Sequence, residues 1–285
     1  MNHPKISIIT ATYGRMDHLK EEVESIRATT PRDAYEIQVV SSDLQDSEKV
    51  RWLRQQPDVT LSLSGTRAWW QPRRKSSHLF INIGIRKARY EWIIVANDDM
   101  RFTEGWYEEF CKALSDPTHE HTGLFIVASH IGKMRYGSRV ITIGKTKKPG
   151  GAWKPLYLSD VCITRKTTLE QIGLYDEGCD WFGAGADNSL AIEFLTDWNT
   201  VPAPNIRIDH LIAEENRGGN MGNEFEDFHY LLRKWGRWCE RHGCQFEWDP
   251  GQPPYAPFNR ARNALRYRAR RIRFYVRTVG KLLRA

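Results

Sequence analysis

The sequence has no long apolar run, no C-x-x-C pair and no acidic residue after position 250. No segment approaches the roughly 18 consecutive apolar residues of a membrane-spanning helix, so we expect no integral membrane protein. Five cysteines without C-x-x-C spacing argue against a disulfide framework or a structural zinc site and favour a reducing cytoplasm. Residues 1–5 lead directly into an apolar stretch with no cleavage site, so we expect no secretory leader.

The positive charge is concentrated at the end of the chain. Residues 251–285 hold ten of the 42 Lys and Arg residues, so the rest of the chain carries 32 basic against 35 acidic residues. The net charge of +7 is therefore a property of this stretch. Residues 1–250 thus carry a slightly negative net charge, which is not typical of nucleic-acid-binding proteins. We therefore expect no nucleic-acid partner.

Residues 259–285, called here the basic tail, have a helical pattern with apolar residues near one face and arginines over most of the rest. Such a pattern is typical of a helix that lies on an anionic membrane surface. The alternative is a helix that packs against the protein's own body or against a partner subunit.

The first hundred residues alternate between strand-like and helix-like segments. Strands are predicted at 5–10, 36–40, 59–63 and 91–96, and helices at 18–28, 47–55 and 77–89. This order predicts an α/β fold with a mostly parallel sheet and flanking helices.

The second half is less regular. Helices are predicted at 105–114, 166–172, 187–196, 224–242 and 259–283, and strands near 122–129, 139–143, 156–163 and 205–209. We expect one domain over 1–245 (a donor half 1–100 and an acceptor half 101–245), a proline-rich linker over 246–258 and the tail.

Three polar clusters follow predicted strands, at residues 10–15, 41–43 and 97–99. In an open parallel sheet, ligands bind beyond the carboxyl ends of the strands. The adjacent carboxylates Asp98 and Asp99 are of the type that binds Mg²⁺ or Mn²⁺ together with phosphate oxygens. The alternative is an ordinary turn with an Asp that caps the next helix.

Four segments, in order, resemble the family 2 glycosyltransferases. Residues 6–15 are similar to the family's opening strand and loop, and residues 82–94 to the helix and strand before its metal motif. Residues 97–99 take the place of its D-x-D motif, and residues 173–187 resemble its acceptor-side segment. The resemblance covers about residues 5–212 and implies a GT-A fold, which is a Rossmann-like nucleotide-binding sheet.

The resemblance also implies an activity, namely inverting transfer of a sugar from a nucleotide-diphosphate sugar to a glycan or lipid-linked acceptor. Asp99 and His210 are then expected to hold Mn²⁺ or Mg²⁺, and Asp187 to be the catalytic base. Trp181 and Gly185 are expected at the acceptor or sugar. The expected nucleotide-binding residues are Thr10, Ala11, Thr12, Tyr13, Arg15, Ser42, Asp43, Asn82 and Asp98. The expected location is the cytoplasm, including the inner face of the membrane.

The sequence departs from the family in two of its acidic motifs. Ser41 and Ser42 stand where the family has two aspartates, so Asp43 or Ser42 is left to contact the donor base. Ala186 replaces the Glu of the family's Glu-Asp pair, which leaves Asp187 as the carboxylate there.

Other hypotheses stay open at this point. One is a nucleotidyltransferase that makes the activated sugar, although a Gly-rich basic loop after the first strand is lacking. Another is a non-catalytic sugar- or nucleotide-binding scaffold, and Asp187 is then only a helix N-cap. The enzymatic hypothesis requires Asp99 and Asp187 to face one cleft, with neither closed off in an ion pair.

Overall fold

A computed structural model describes residues 3–12, 16–41, 47–64, 77–128, 140–158, 161–179, 184–211 and 223–248. The strands are β1 (Ile6–Thr12), β2 (Tyr35–Ser41), β3 (Val59–Leu63), β4 (Trp92–Asn97), β5 (Met100–Phe102), β6 (Thr122–Ala128), β7 (Ile141–Lys147), β8 (Lys154–Leu158), β9 (Cys162–Arg165), β10 (Asn199–His210) and β11 (Gln245–Trp248). The helices are α1 (Met16–Thr29), α2 (Glu48–Arg54), α3 (Ser77–Lys87), α4 (Trp106–Ser115), α5 (Lys166–Gln171), α6 (Ala184–Leu195) and α7 (Asn223–His242).

The large sheet has the strand order β3-β2-β1-β4-β9-β6-β10-β5. The pairs β2–β3, β1–β2, β1–β4 and β6–β10 are parallel. The crossovers between the parallel strands of the first half are helices, as the sequence predicts. This arrangement confirms the α/β class with a mostly parallel central sheet.

Strand β1 is buried on both faces, as expected for a central parallel strand. Ile6 and Ile8 belong to the main core with α1 and α4, whereas Ile9 contacts the cluster formed with α3 and α5. Alternate side chains of one strand therefore attach helices to both sides of the sheet.

The strand predicted over 156–163 is wrong in its extent. It divides into β8, which belongs to a small sheet, and β9, which lies in the large sheet between β4 and β6 and is antiparallel to both. Ser159 and Asp160 interrupt the apolar residues of this stretch, but the sequence does not reveal that the segments on either side pair with different partners.

A second layer is built from α6, α7 and the three-stranded sheet β11-β7-β8. Leu190 of α6, Leu231 and Trp235 of α7 and Leu156 of β8 share one buried cluster. Strand β11 lies partly within the predicted linker and pairs with β7, so regular structure extends through Trp248. The tail lies outside the described residues.

Among the described helices, none has the length and apolar character that crossing a bilayer requires.

Candidate functional site

The first group of site residues lies at the carboxyl ends of β1 and β4. These strands are parallel, with Ala11 opposite Asn97, so Thr12 comes next to Asp98. The Thr12 hydroxyl donates to Asp98 Oδ2 at 2.9 Å, and Lys49 Nζ of α2 donates to Thr12 Oγ1 at 3.0 Å. All three side chains are buried, which fixes them as one polar group at this edge of the sheet.

Asp99 and His210 are brought together by the pairing of β5 with β10. His210 lies opposite Met100 in the antiparallel register, and the Leu211 amide donates to the Asp99 carbonyl at 2.7 Å. His210 Nε2 then lies 3.1 Å from Asp99 Oδ1. The two predicted metal-binding residues are therefore neighbours in the fold.

The pair Asp99 and His210 fits a divalent cation. The 3.1 Å separation is that of a direct ion pair when His210 is protonated, and it is also close to the roughly 3.0 Å between neighbouring ligands of an octahedral ion with bonds of about 2.1 Å. In the part of the chain that the structure describes, no group of three or more His, Cys, Asp or Glu side chains forms a metal site, so further ligands must come from elsewhere.

Glu22 of α1 lies beneath this edge of the sheet and was not predicted. It is fully buried, and the Thr10 hydroxyl donates to its Oε1 at 2.8 Å. Burial raises the pKa of Glu22 well above its ordinary value, and the nearby charges of Asp98 and Asp99 raise it further. Thr10, a predicted nucleotide-binding residue, is thus held by a carboxyl group on the helix behind it.

Asn82 of α3 contacts the acceptor-side segment. Its Nδ2 donates to the Tyr175 carbonyl and to Glu177 Oε1, both at 2.9 Å, and its Oδ1 accepts from the Tyr175 amide at 3.0 Å. These bonds give Asn82 a structural function, since they tie α3 to the segment after α5. Its predicted contact with the nucleotide stays a prediction.

Asp187, in the first turn of α6, is buried and surrounded by donors from α7. Lys234 Nζ lies 2.8 Å from Oδ1 and 2.9 Å from Oδ2, and Trp235 Nε1 donates to Oδ1 at 2.6 Å. Burial raises the pKa of the Asp187 carboxyl, and the Lys234 ammonium offsets only part of this rise. Lys234 also donates to Asp176 Oδ2 at 2.7 Å, so it is shared by two carboxylates.

The ion pair does not isolate Asp187 completely. Asp187 and Lys234 also border a cavity of about 290 Å³, together with Asn82, Arg86 and Tyr175. The condition set from the sequence is that Asp99 and Asp187 face one cleft, with neither closed off in an ion pair. Asp187 is paired with Lys234 at the edge of this cavity, whereas Asp99 is paired with His210 and is not among the described residues that line the cavity. The assignment of Asp187 as the base stays a prediction.

The remaining predicted residues divide into two groups. Ala11 lies on β1 and packs against the cluster beside α3, and Gly185 lies in the first turn of α6. The others lie outside the described residues, namely Tyr13, Arg15, Ser42, Asp43 and Trp181.

Two lysines of the site were not predicted from the sequence. Lys49 comes four residues before the buried Leu53, and Lys234 three residues after the buried Leu231. Both lysines therefore lie on the apolar face of their helix. A cation at such a position is the pattern that would have identified them.

Comparison with known proteins identifies the family and the fold. The family model "Glycosyl transferase family 2" matches residues 7–166, which is more than half of the chain. The chain therefore belongs to glycosyltransferase family 2, and its fold is GT-A. No curated protein matches the chain by sequence.

Several solved structures share the fold. The mannosyltransferase PcManGT from Pyrobaculum calidifontis, in complex with GDP-Man and Mn²⁺, has a TM-score of 0.57 and 17% identity, over 82% of this chain and 65% of that one. S. aureus TarS 1–349 has a TM-score of 0.58 and 14% identity, over 81% and 64%. GalNAc-T7 with UDP, GalNAc and Mn²⁺ has a TM-score of 0.60 and 15% identity, over 86% and 55%. The chain thus spans less than two thirds of each of these three.

Proposed function

We propose that the protein is an inverting glycosyltransferase that uses a nucleotide-diphosphate sugar and a divalent cation. The observation that carries this proposal is the pairing of Asp99 with His210 beside Asp98 and Thr12, at the carboxyl edge of a family 2 sheet. Solved GT-A neighbours contain GDP-Man or UDP with Mn²⁺, which supports the same class of donor and metal.

In the proposed site, Asp99 and His210 hold the cation, and Thr12 and Asp98 contact the nucleotide. When bound, the cation supplies positive charge that stabilises the leaving diphosphate. Lys49 fixes the Thr12 hydroxyl, and Glu22 fixes that of Thr10. These contacts preorganise the donor side, so little reorganisation is needed when the donor binds.

Asp187 is proposed as the general base. The acceptor hydroxyl oxygen bonds to the anomeric carbon while the bond from that carbon to the diphosphate oxygen breaks. The electron pair of the broken bond leaves with the nucleoside diphosphate, and the hydroxyl proton passes to Asp187. A single displacement of this kind inverts the anomeric configuration. The cavity that Asp187 borders is where an acceptor hydroxyl, on a glycan or a lipid-linked sugar, would approach.

The test is a panel of nucleotide sugars, comprising UDP-GlcNAc, UDP-GalNAc, UDP-glucose and GDP-mannose, with Mn²⁺, Mg²⁺ or EDTA. The proposal predicts release of a nucleoside diphosphate from one donor, dependent on the metal and reduced in Asp99→Asn. The exposed Asp197→Asn is the matched control. Turnover that persists in EDTA and in Asp99→Asn would contradict it.

A second candidate is a non-catalytic nucleotide-sugar-binding protein on the same fold. The ion pair of Asp187 with Lys234 and the alanine at position 186 favour it. The same panel separates the two functions, because the second predicts saturable binding of a donor without release of its diphosphate.

For the basic tail we propose contact with an anionic membrane surface, which would bring the site close to a lipid-linked acceptor. The support is its charge, with ten basic and no acidic residues over 251–285. The full chain is expected to sediment with vesicles that contain phosphatidylglycerol, and to be released by salt as Coulomb attraction is screened. Equal binding to phosphatidylcholine vesicles would contradict the electrostatic attachment.

A further inference from the structure

Three donors from α7 converge on two carboxylates beside α6. Lys234 contacts both Asp187 and Asp176, Trp235 donates to Asp187, and Tyr230 donates to Asp176 Oδ2 at 2.9 Å. The carboxylates themselves come from the first turn of α6 and from the segment between α5 and α6. This cluster lies beyond residues 7–166, which the family model matches.

The packing of α7 on α6 fixes this contact. Leu231 and Trp235 of α7 share a buried cluster with Leu190 and Ala191 of α6. Asp187 is only 3% exposed, so its carboxylate cannot turn away into water. The orientation of Asp187 is therefore determined by a helix outside the family's matched segment.

The charges of the cluster do not balance. Two carboxylates share the single ammonium of Lys234, which leaves one net negative charge. Asp187 is buried, whereas the side chains of Asp176 and Lys234 are 21% and 32% exposed. Two further charged groups, Glu177 and Arg86, border the cavity beside Asp187. The buried thiol of Cys179 lies on the segment between α5 and α6, and the buried Asp227 of α7 lies close to it. Uptake of one proton by Asp187 neutralises the group of Asp176, Asp187 and Lys234, and Coulomb attraction therefore favours it.

We propose that Lys234 is a positioning residue for Asp187, and that Asp176 shares its ammonium group so that Asp187 remains able to accept a proton. This rests on the proposed function, in which Asp187 takes the proton of the attacking hydroxyl. Lys234 alone would hold Asp187 as a weak base, because a cation stabilises the ionised carboxylate. Asp176 attracts the same ammonium and so weakens this stabilisation of the ionised Asp187. The raised pKa of Asp187 agrees with this effect.

The two partners must then act on Asp187 in opposite directions, and this can be measured without substrate. The full chain is labelled with [4-¹³C]aspartate, and the Asp187 resonance is identified by its loss in Asp187→Asn. In Lys234→Met the proton affinity of Asp187 should rise about tenfold or more. In Asp176→Asn it should fall. The controls are the exposed Arg237→Met on the same helix and the exposed Asp197→Asn.

Asp176→Asn preserves the shape of the side chain. If Lys234→Met does not fold, the titration of Asp187 in Asp176→Asn is therefore sufficient to test the inference. A titration of Asp187 that is unchanged relative to the controls, or that moves the same way in both variants, would overturn the inference.

The pH dependence of donor hydrolysis separates this inference from the proposed function. With the donor that the panel identifies, the acid limb of kcat should move to higher pH in Lys234→Met and to lower pH in Asp176→Asn. Wild-type hydrolysis by Asp187→Asn would contradict its function as base and leave the ¹³C result valid. If the acid limb of kcat is unchanged in both Lys234→Met and Asp176→Asn while Asp187→Asn is inactive, the inference is overturned and the proposed function is not.

Discussion

Asp187 combines burial with a strong hydrogen-bonding environment, and each property has a separate consequence. Burial raises its pKa, which suits a group that must accept a proton near neutral pH. The bonds from Lys234 and Trp235 hold its oxygens in place. A residue with only a capping function on α6 would need neither the lysine nor the cavity beside it.

We therefore predict that Asp187→Asn lowers kcat by about 10²–10⁴-fold, the usual contribution of a general base. The amide keeps an oxygen for the Trp235 indole, so the variant should fold, and its affinity for nucleoside diphosphate should match that of the wild type. Steady-state assays measure kcat, and circular dichroism shows whether the variant folds. A folded variant with wild-type kcat would remove Asp187 from the mechanism.

At the scale of elements, the approach of α3 to β1 depends on a glycine. A Cβ atom at Gly84 would lie 2.4 Å from Ile9 Cγ2, inside the core, whereas a Cβ at Gly236 of α7 would meet nothing within 4 Å. Both glycines lie within helices, so they form a matched pair for the same substitution.

Gly84→Ala should destabilise the fold by about 1–3 kcal/mol, since overpacking outweighs the better helix propensity of alanine. Gly236→Ala should instead stabilise it by up to about 1 kcal/mol. Urea unfolding of both variants provides the comparison. Equal effects of the two substitutions would show that the contact with Ile9 does not limit the approach of α3.

The ion pair between Arg27 of α1 and Asp58 before β3 makes stability depend on pH. Arg27 Nε and Nη2 contact the two oxygens of Asp58 at 3.0 and 2.5 Å. These hydrogen bonds hold the pKa of Asp58, a residue of intermediate exposure, below its ordinary value of 3.8, and the Tyr35 hydroxyl adds to the effect. The stabilisation is therefore complete above that value and is lost as the pH falls through the lowered folded-state pKa.

Asp58→Asn is expected to lower the free energy of unfolding at pH 7 by about 1–3 kcal/mol, the usual contribution of hydrogen bonds to a charged group. The difference from the wild type should shrink as the pH falls below about 4. Urea unfolding at pH 7 and at pH 3 measures both. A difference that is the same at the two pH values would contradict the electrostatic explanation.

At the scale of the whole molecule, the first hundred residues could be predicted well because their strands and helices have continuous patterns. The second half depends on pairing between distant segments. The three-residue β5 has no pattern of its own and exists because it pairs with β10. Strand β11 lies among residues that resemble a linker and forms because β7 offers an edge.

The candidate site divides in the same way. Asp99 and His210 could be found because motifs mark them, and their contact then follows from the pairing of β5 with β10. Lys49 and Lys234 belong to no motif, and their importance depends on which helix face the fold buries. The charge environment of Asp187 could not be predicted, because it comes from α7, which lies far along the chain.

In the proposed function, Asp99 and His210 hold a cation that binds a nucleoside diphosphate. Calorimetric titration of UDP, GDP, CDP and dTDP, with and without Mn²⁺, tests it most directly in the wild type and in His210→Ala, with the exposed His121→Ala as control. The account predicts saturable binding of one nucleotide that requires Mn²⁺ and weakens in His210→Ala alone. Binding of equal strength without Mn²⁺, or unchanged in His210→Ala, would contradict it.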